Sequence, residues 1–427
     1  MNFSPPAPVV DAVDHSKSRV MLLLLVAMTG IAPISLYMLV PALPELARTF
    51  GADISIAQMT VSLYMVGLAF SQLIMGPLSD RFGRRPVLLA GLGLMVIAGI
   101  ASSFAFTLPQ LIAARFFQAL GGATGMVMSR AIIRDLYPRE RVGAMISLVI
   151  AVMMIAQMLS PLAGGLLEIG FGWRSIFYVI TGASVIVTLA ILILLPETRW
   201  RIATESGGGG FMADAKVLLR SRTFLGYLLC YVGSSWIIFT FAGGGPYVVV
   251  NQMGRSSAEY GAWFACTGFG YLMGNVFCVR LAPRRGLEQL IWFGLALQFG
   301  GALLNVVWGL AGLNQMPAWL FLTHMIVMFG NAFVMSNSAA GALSIRPQAA
   351  GATSGMMGFL QMGLGSLCSQ FGAYLGGHFT TPVPLNIALV LLSCGCAAAM
   401  IFLVPRGGIV ATKRMIEEAE GEETGLL

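Results

Sequence analysis

The feature that most constrains the fold of this chain is a series of apolar runs, each about 20 residues long and almost free of charge. A helix of that length matches the hydrocarbon core of a bilayer. Hydrophobic residues make up 57% of the 427 residues, whereas only 10% are charged, against roughly 25% in a soluble domain. The composition therefore argues against a water-soluble enzyme and predicts an all-α membrane protein.

Twelve spans follow from these runs, near 20–41, 57–79, 86–105, 109–131, 142–169, 174–195, 223–248, 257–280, 287–311, 317–343, 350–377 and 383–404. Each is predicted to be a helix, because backbone groups in lipid must be paired internally. The polar stretch 196–222 has linker composition. The predicted organisation is an N-terminal tail (1–19), a six-helix bundle (20–195), the linker (196–222), a second six-helix bundle (223–404) and a C-terminal tail (405–427).

The charge pattern predicts the orientation of the spans. The chain has 25 Lys and Arg against 18 Asp and Glu, a net charge of +7. The excess is scattered between spans and forms no patch, so nucleic acid is not a predicted partner. With the N-terminus in the cytoplasm, the basic residues lie in cytoplasmic segments with four exceptions: Arg48, Arg115, Arg174 and Arg255. By the positive-inside rule, both termini are predicted to be cytoplasmic.

No motif for enzymatic chemistry occurs in the sequence. There is no Gly-x-x-x-x-Gly-Lys-Ser/Thr phosphate loop, no His-Glu-x-x-His and no Gly-x-Ser-x-Gly. The six cysteines all lie inside apolar runs, without metal-ligand spacing to a histidine. We therefore predict no catalytic residue, no metal site and no cofactor.

The loop between the second and third spans is the most specific motif. It runs from Gly76 to Pro86 as Gly-Pro-Leu-Ser-Asp-Arg-Phe-Gly-Arg-Arg-Pro, with a tight turn expected at Gly83. Asp80 lies among Arg81, Arg84 and Arg85, an ion-pair cluster that one helix movement could break. The simpler alternative is a basic cytoplasmic loop without further function. The segment resembles the signature loop of the major facilitator superfamily.

Other motifs narrow this resemblance. Residues 115–122 resemble the Arg-x-x-Gln-x-x-Gly motif of the superfamily, and residues 160–165 resemble its Pro-x-x-Gly-Gly antiporter motif. Residues 130–136 and the Pro246-Tyr247 pair look most like the Bcr/CflA subgroup of drug:proton antiporters. The resemblance implies a monomer in a bacterial inner membrane, with two six-helix bundles around a central cavity. It implies export of small hydrophobic drugs against inward proton flow, by alternating access.

The resemblance also implies roles for particular residues. Arg115 would face the cavity with Gln118 beside it; the alternatives are an arginine that reaches the outer headgroups and a glutamine that bonds helix to helix. His324 in span 10 could titrate or simply pack.

Two sets of residues would act as gates. Gly76, Asp80, Arg81, Gly83 and Arg84 would form a cytoplasmic latch, whose acid meets Ala350-Gly351 when the transporter opens outward. Pro161, Gly164 and Gly165 would bend span 5 and seal the outward path, or serve packing alone.

One position departs from the subgroup. Relatives commonly carry an acid four residues before the first proline of Pro-Ala-Leu-Pro, and here that residue is Tyr37. No Asp or Glu lies near the middle of any predicted span, although proton coupling normally uses a buried carboxylate. Two alternatives therefore stay open: a metabolite exporter, symporter or facilitator of the same fold, and a non-transporting receptor or scaffold.

Overall fold

The computed structural model describes residues 15–137, 139–198, 211–313 and 316–405, and the regular elements in these ranges are helical. The first half contains α1 (His15–Leu39), a 3-10 turn (Val40–Ala42), α2 (Leu43–Phe50), α3 (Ile54–Phe82), α4 (Arg84–Ser103), α5 (Leu108–Leu136), α6 (Arg139–Phe171) and α7 (Arg174–Leu194).

The second half begins with α8 (Phe211–Arg220) and α9 (Arg222–Tyr247), which continues as a π-helical turn (Val248–Gln252). It then contains α10 (Ser257–Leu281), α11 (Leu287–Leu310), α12 (Pro317–Ile345), a 3-10 turn (Pro347–Ala349), α13 (Ala350–His378) and α14 (Val383–Leu403).

All twelve predicted spans fall on helices, and eleven helical segments of the described chain are long and apolar enough to cross a membrane. The twelfth, α13, is rich in glycine and polar residues. It packs along both α3 and α9. A Cβ atom on Gly372 or Gly376 would collide with the backbone of α9. Because neighbouring helices cover much of its surface, α13 does not need the apolar composition of a lipid-facing helix.

The helices pack as two six-helix bundles. One consists of α1 and α3–α7, and the other consists of α9–α14. The bundles meet mainly through two helix pairs, α3 with α13 and α6 with α10. Since the spans alternate in direction, α1 begins and α14 ends on the same side of the molecule. We call this side the terminal face, and the other side the opposite face.

The segment predicted as a linker contains the short helix α8, which packs against α9 and α13. Residues 199–210 of that segment, and the predicted tails at 1–14 and 406–427, lie outside the described residues. The exact domain boundaries therefore stay predictions.

Polar residues define where several helices begin. Asp53 caps α3 by accepting a hydrogen bond from the backbone N–H of Ser55 at 2.7 Å, which also holds the pKa of the Asp53 carboxyl below its usual range. Ser221 and Ser256 cap α9 and α10 in the same way. A capping side chain satisfies backbone donors that the first helical turn leaves unpaired. These caps fix the helix starts at the two faces.

Candidate functional site

A cavity of about 360 Å³ lies between the two bundles. Its wall comes from α1, α3, α5 and α6 on one side and from α9, α10, α12 and α13 on the other. Seven methionines share this wall: Met126, Met153, Met154, Met158, Met328, Met335 and Met362. Methionine side chains are flexible and polarisable, so such a wall adapts to apolar molecules of different shapes.

Polar groups interrupt the apolar wall at a few points. Tyr37 lies on the wall, with the side chains of Gln157 and Tyr271 beside its hydroxyl. Deeper towards the terminal face, the hydroxyl of Tyr231 donates a hydrogen bond to Oε1 of Gln361 at 3.1 Å. The position that differs from the subgroup thus carries a neutral tyrosine at the centre of the molecule.

Helices α6 and α10 close the cavity at the opposite face through backbone contact. A Cβ atom added to Gly165 would lie 2.6 Å from the carbonyl oxygen of Ser257, and one added to Gly261 would lie 2.5 Å from the carbonyl oxygen of Pro161. Gly164, on the other side of α6, packs against the backbone of Met38 in α1. The Pro-x-x-Gly-Gly segment of α6 therefore contacts α1 of its own bundle and α10 of the other bundle at the same height along the helix.

The pair α3 and α13 completes this closure with hydrogen bonds. Nε2 of Gln58 donates to Oγ of Ser369 at 2.9 Å, and Oγ of Ser62 donates to Oε1 of Gln370 at 3.0 Å. The amide of Gln370 also donates to the carbonyl oxygen of Ser55 at 2.5 Å. All of these contacts lie in the half of the molecule nearer the opposite face.

Open space surrounds the ends of α3 and α13 at the terminal face. A Cβ atom added to Gly76 at the end of α3, or to Gly351 at the start of α13, would meet nothing within 4 Å. The residues Arg130, Ile133 and Ile146, which lie near the terminal-face ends of α5 and α6, line the cavity. The cavity therefore opens towards the terminal face.

The signature loop is fastened to its own bundle. Gly83 has φ of 95°, a conformation that favours glycine, and it separates α3 from α4. The backbone N–H groups of Arg84 and Arg85 donate to the two carboxylate oxygens of Glu197 at 3.0 and 3.1 Å. This carboxylate thus lies at the N-terminus of α4, where a negative charge is stabilised.

The side chain of Arg84 adds two further ties. It donates to Oγ of Ser79 at 2.6 Å and pairs with Asp135 at 3.4 Å. Sequence reasoning missed these anchoring roles of Glu197 and Asp135, although both acids lie in motif segments close to predicted span ends. Arg81 lies over the ring of Phe82 at 5.2 Å, and the side chain of Asp80 lies outside what the structure describes.

Arg115 and Gln118 do not line the cavity, which corrects the expected cavity position. Both side chains are fully buried inside the first bundle. Arg115 donates to Oγ of Ser35 at 2.8 Å and to Oε1 of Gln118 at 2.7 Å, and it reaches the carbonyl oxygens of Ser35 and Thr60 at 3.2 and 3.4 Å. Its guanidinium stacks 3.8 Å from the centre of the Tyr64 ring. Arg115 therefore does not extend to the headgroups either.

His324 also lies away from the cavity. It is buried inside the second bundle, where its ring stacks on Phe241 with 3.6 Å between the centroids. The depth of His324 and Arg115 along their helices was predictable, but the side of the helix was not.

No group of three or more His, Cys, Asp or Glu side chains suited to a metal ion occurs among the described residues.

Residues 25–369 match the Major Facilitator Superfamily, and the chain belongs to this superfamily of membrane transporters. Multidrug resistance protein D of Escherichia coli is 30% identical over 369 residues, which cover 82% of this chain and 87% of that protein. Bicyclomycin resistance protein homolog of Haemophilus influenzae is 25% identical over 397 residues, 92% of this chain and 98% of the relative. These relatives confirm the predicted Bcr/CflA-type resemblance.

A solved structure confirms the fold. A bacterial homologue of the human lysosomal transporter Spinster, in an inward-facing and unoccupied conformation, superposes with a TM-score of 0.70 at 16% identity. The match covers 95% of this chain and 99% of the other. The prediction of an all-α, multi-pass transporter fold is thus confirmed, and the chain belongs to a family of transporters, not of enzymes.

Proposed function

We propose that this chain exports small, largely apolar molecules, antimicrobials among them, in exchange for protons. The observation that carries the proposal is the cavity between the bundles, which has a methionine-rich wall, a closed end and an open end. A site that is accessible from one side at a time is what alternating access requires. The names of the two drug-resistance relatives support drugs as the substrate class.

The basic residues supply the orientation. We place the terminal face in the cytoplasm of a bacterial cell, and the chain in its inner membrane, because cytoplasmic loops carry the excess of Lys and Arg. The structure then corresponds to the inward-facing state, ready to accept a substrate from the cytoplasm or from the adjacent lipid. We assign a monomer as the working unit, since one chain contains both halves of the cavity.

Alternating access requires the closed end of the cavity to open and the open end to close. The α6–α10 and α3–α13 contacts at the opposite face part, while the signature loop approaches the start of α13. We assign Asp80, Arg81 and Arg84, with Gly76 and Gly83, to this latch. The N-terminus of α13 at Ala350 and Gly351 favours a negative charge, and open space around Gly76 and Gly351 supports the view that the latch is disengaged here.

A facilitator or metabolite exporter without conventional proton coupling is the second candidate. It is favoured by the cavity wall, which contains no Asp or Glu among the described residues, and by Tyr37 in place of the expected acid. A transporter without a titrating carboxylate on its pathway has no clear group to carry the proton.

Proton movement in energised everted vesicles tests the proposal. Respiration acidifies the lumen, and bicyclomycin and a set of apolar antimicrobials are added one at a time. Substrate-dependent proton release from the lumen, absent from vesicles without the protein, is expected for antiport. Flux of labelled substrate without proton movement would support the facilitator. The absence of both signals across the panel would contradict drug export.

A further inference from the structure

Arg130 is the charged residue of the cavity. Of the described residues that line the wall, it alone has a side chain that is charged at neutral pH. It lies in the last third of α5, next to Ser129, and its side chain is exposed to the open cavity. A guanidinium that faces an open, water-accessible cavity can stay charged without a protein counter-ion.

The surroundings of Arg130 leave its charge available. No carboxylate of a residue that the structure describes lies within ion-pair distance of it, unlike Arg84, which pairs with Asp135. Its electrostatic neighbours are the hydroxyl-bearing Tyr231 and a second cation, Arg134. This end of the cavity is therefore electropositive.

An uncharged donor, the amide nitrogen of Gln361, lies on the same wall. Tyr231 uses its hydroxyl proton to bond Oε1 of Gln361. The amide nitrogen of Gln361 donates no hydrogen bond to a side chain or backbone group that the structure describes. Both residues line the cavity with Arg130. Towards the centre of the molecule, Met126 and Phe239 are among the apolar side chains of the wall.

We propose that Arg130 and Gln361, with Tyr231 orienting the Gln361 amide, form an anion-binding subsite, so that preferred ligands are small apolar molecules with one negatively charged group such as a carboxylate. The inference rests on the proposed function and specifies its substrate class. A guanidinium binds a carboxylate through two parallel hydrogen bonds, while the methionine wall receives the apolar body. Cationic ligands are disfavoured, because the wall offers them a like charge and no described acid.

Binding to the purified full chain in detergent tests this inference directly. The probes are 2-naphthoate, 2-naphthamide and 2-naphthylmethylammonium, which share one apolar body and differ in charge. The wild type is expected to bind the anion most tightly and the cation most weakly. Arg130→Gln is expected to lose about tenfold or more in affinity for naphthoate, the range of one hydrogen bond to a charged group, and to bind naphthamide as before.

Two further variants make the result specific. Arg130→Lys keeps the positive charge but lacks the planar guanidinium. It is expected to bind naphthoate more tightly than Arg130→Gln and less tightly than the wild type. Arg280→Gln removes the same charge from an exposed position at the terminal-face end of α10 and is expected to change nothing. Equal losses for naphthoate and naphthamide in Arg130→Gln, or unchanged naphthoate binding, would overturn the subsite.

The binding result is separate from the test of export. If naphthoate binds as expected while the vesicles show no flux of any compound, the subsite stands and the proposed export is wrong. If antimicrobials are exported but naphthoate binds no better than naphthamide, export stands and the anion preference is wrong.

Discussion

Arg115 is a cation held inside a bundle without a carboxylate from any described residue. Backbone carbonyls, the Ser35 hydroxyl, the Gln118 amide oxygen and the ring of Tyr64 surround it. Oxygen dipoles and an aromatic face can together stabilise a buried guanidinium. Through these contacts Arg115 joins α5 to α1 and α3, so its role in this structure is to hold three helices of the first bundle together.

Replacing Arg115 by methionine is expected to destabilise the protein. The Ser35 hydroxyl and the Gln118 amide oxygen lose their charged donor, and each buried acceptor left unpaired costs about 1–3 kcal/mol. The midpoint of thermal unfolding in detergent is expected to fall by several degrees, with a smaller fall for Arg115→Lys.

Arg48→Met provides the matched control, because Arg48 forms an exposed pair with Glu45 at 2.9 Å. Exposed pairs contribute at most about 1 kcal/mol. If Arg115→Met and Arg48→Met unfold at the same temperature, the structural role of Arg115 is wrong.

At the residue scale, the sequence predicts the position of a residue along its helix but not which side of the helix faces the cavity. The sequence places Arg115, His324 and Tyr37 inside the membrane, because hydropathy reports position along a helix. The side that each helix turns to the cavity depends on its rotation within the bundle, and the spans are apolar all around. Only Tyr37 of these three lies on the cavity wall, and Arg130 became recognisable there once the helices were assembled.

At the scale of elements, the backbone contact between α6 and α10 closes the opposite face together with the α3–α13 pair. Gly165→Ala is expected to wedge these helices apart, because the new Cβ would lie 2.6–2.7 Å from the backbone of Ser257 and Ala258. The distance between spin labels on α6 and α10 near the opposite face is expected to increase, and substrate flux to fall.

Gly170→Ala is the matched control in the same helix, since a Cβ atom there meets nothing within 4 Å. It is expected to keep both the distance and the flux. An unchanged distance distribution in Gly165→Ala would show that the backbone contact does not control closure.

Helix positions were largely predictable because lipid requires paired backbones, and a run of apolar residues is therefore a helix. The helix ends were less predictable: α5 continues to Leu136 and α3 begins at Ile54. Both lie beyond the predicted spans, where capping and loop contacts determine the helix end. The helix α8 was missed because its segment contains charged residues and follows a glycine-rich stretch.

At the scale of the whole molecule, the signature loop and α13 are expected to meet when the cavity changes sides. Asp80→Asn removes the charge that the N-terminus of α13 would stabilise. The variant is expected to insert into the membrane at wild-type levels, to lose transport, and to stay open at the terminal face by spin-label distances between α3 and α13.

Asp53→Asn serves as the control for losing one acid from α3, because asparagine caps a helix as well as aspartate does. It is expected to retain transport. Full transport by Asp80→Asn would contradict the latch.

The sequence predicts the family and the number of spans, since both depend on patterns along one chain. It does not predict which end of the cavity is closed. Both arrangements use the same helices, and the small-residue contacts of α6 and α10 are compatible with association or separation. That choice depends on small free-energy differences between two packings.

The contact of bare backbone at Gly165 and Gly261 has a thermodynamic consequence. A glycine has no rotamers to lose, so bringing these surfaces together immobilises no side chain at the two positions, and separating them releases none. The balance between closed and open states at this point depends on van der Waals contact and on the lipid or water that replaces it. Two such surfaces can fit together in few ways, so closure restores the same geometry in every cycle.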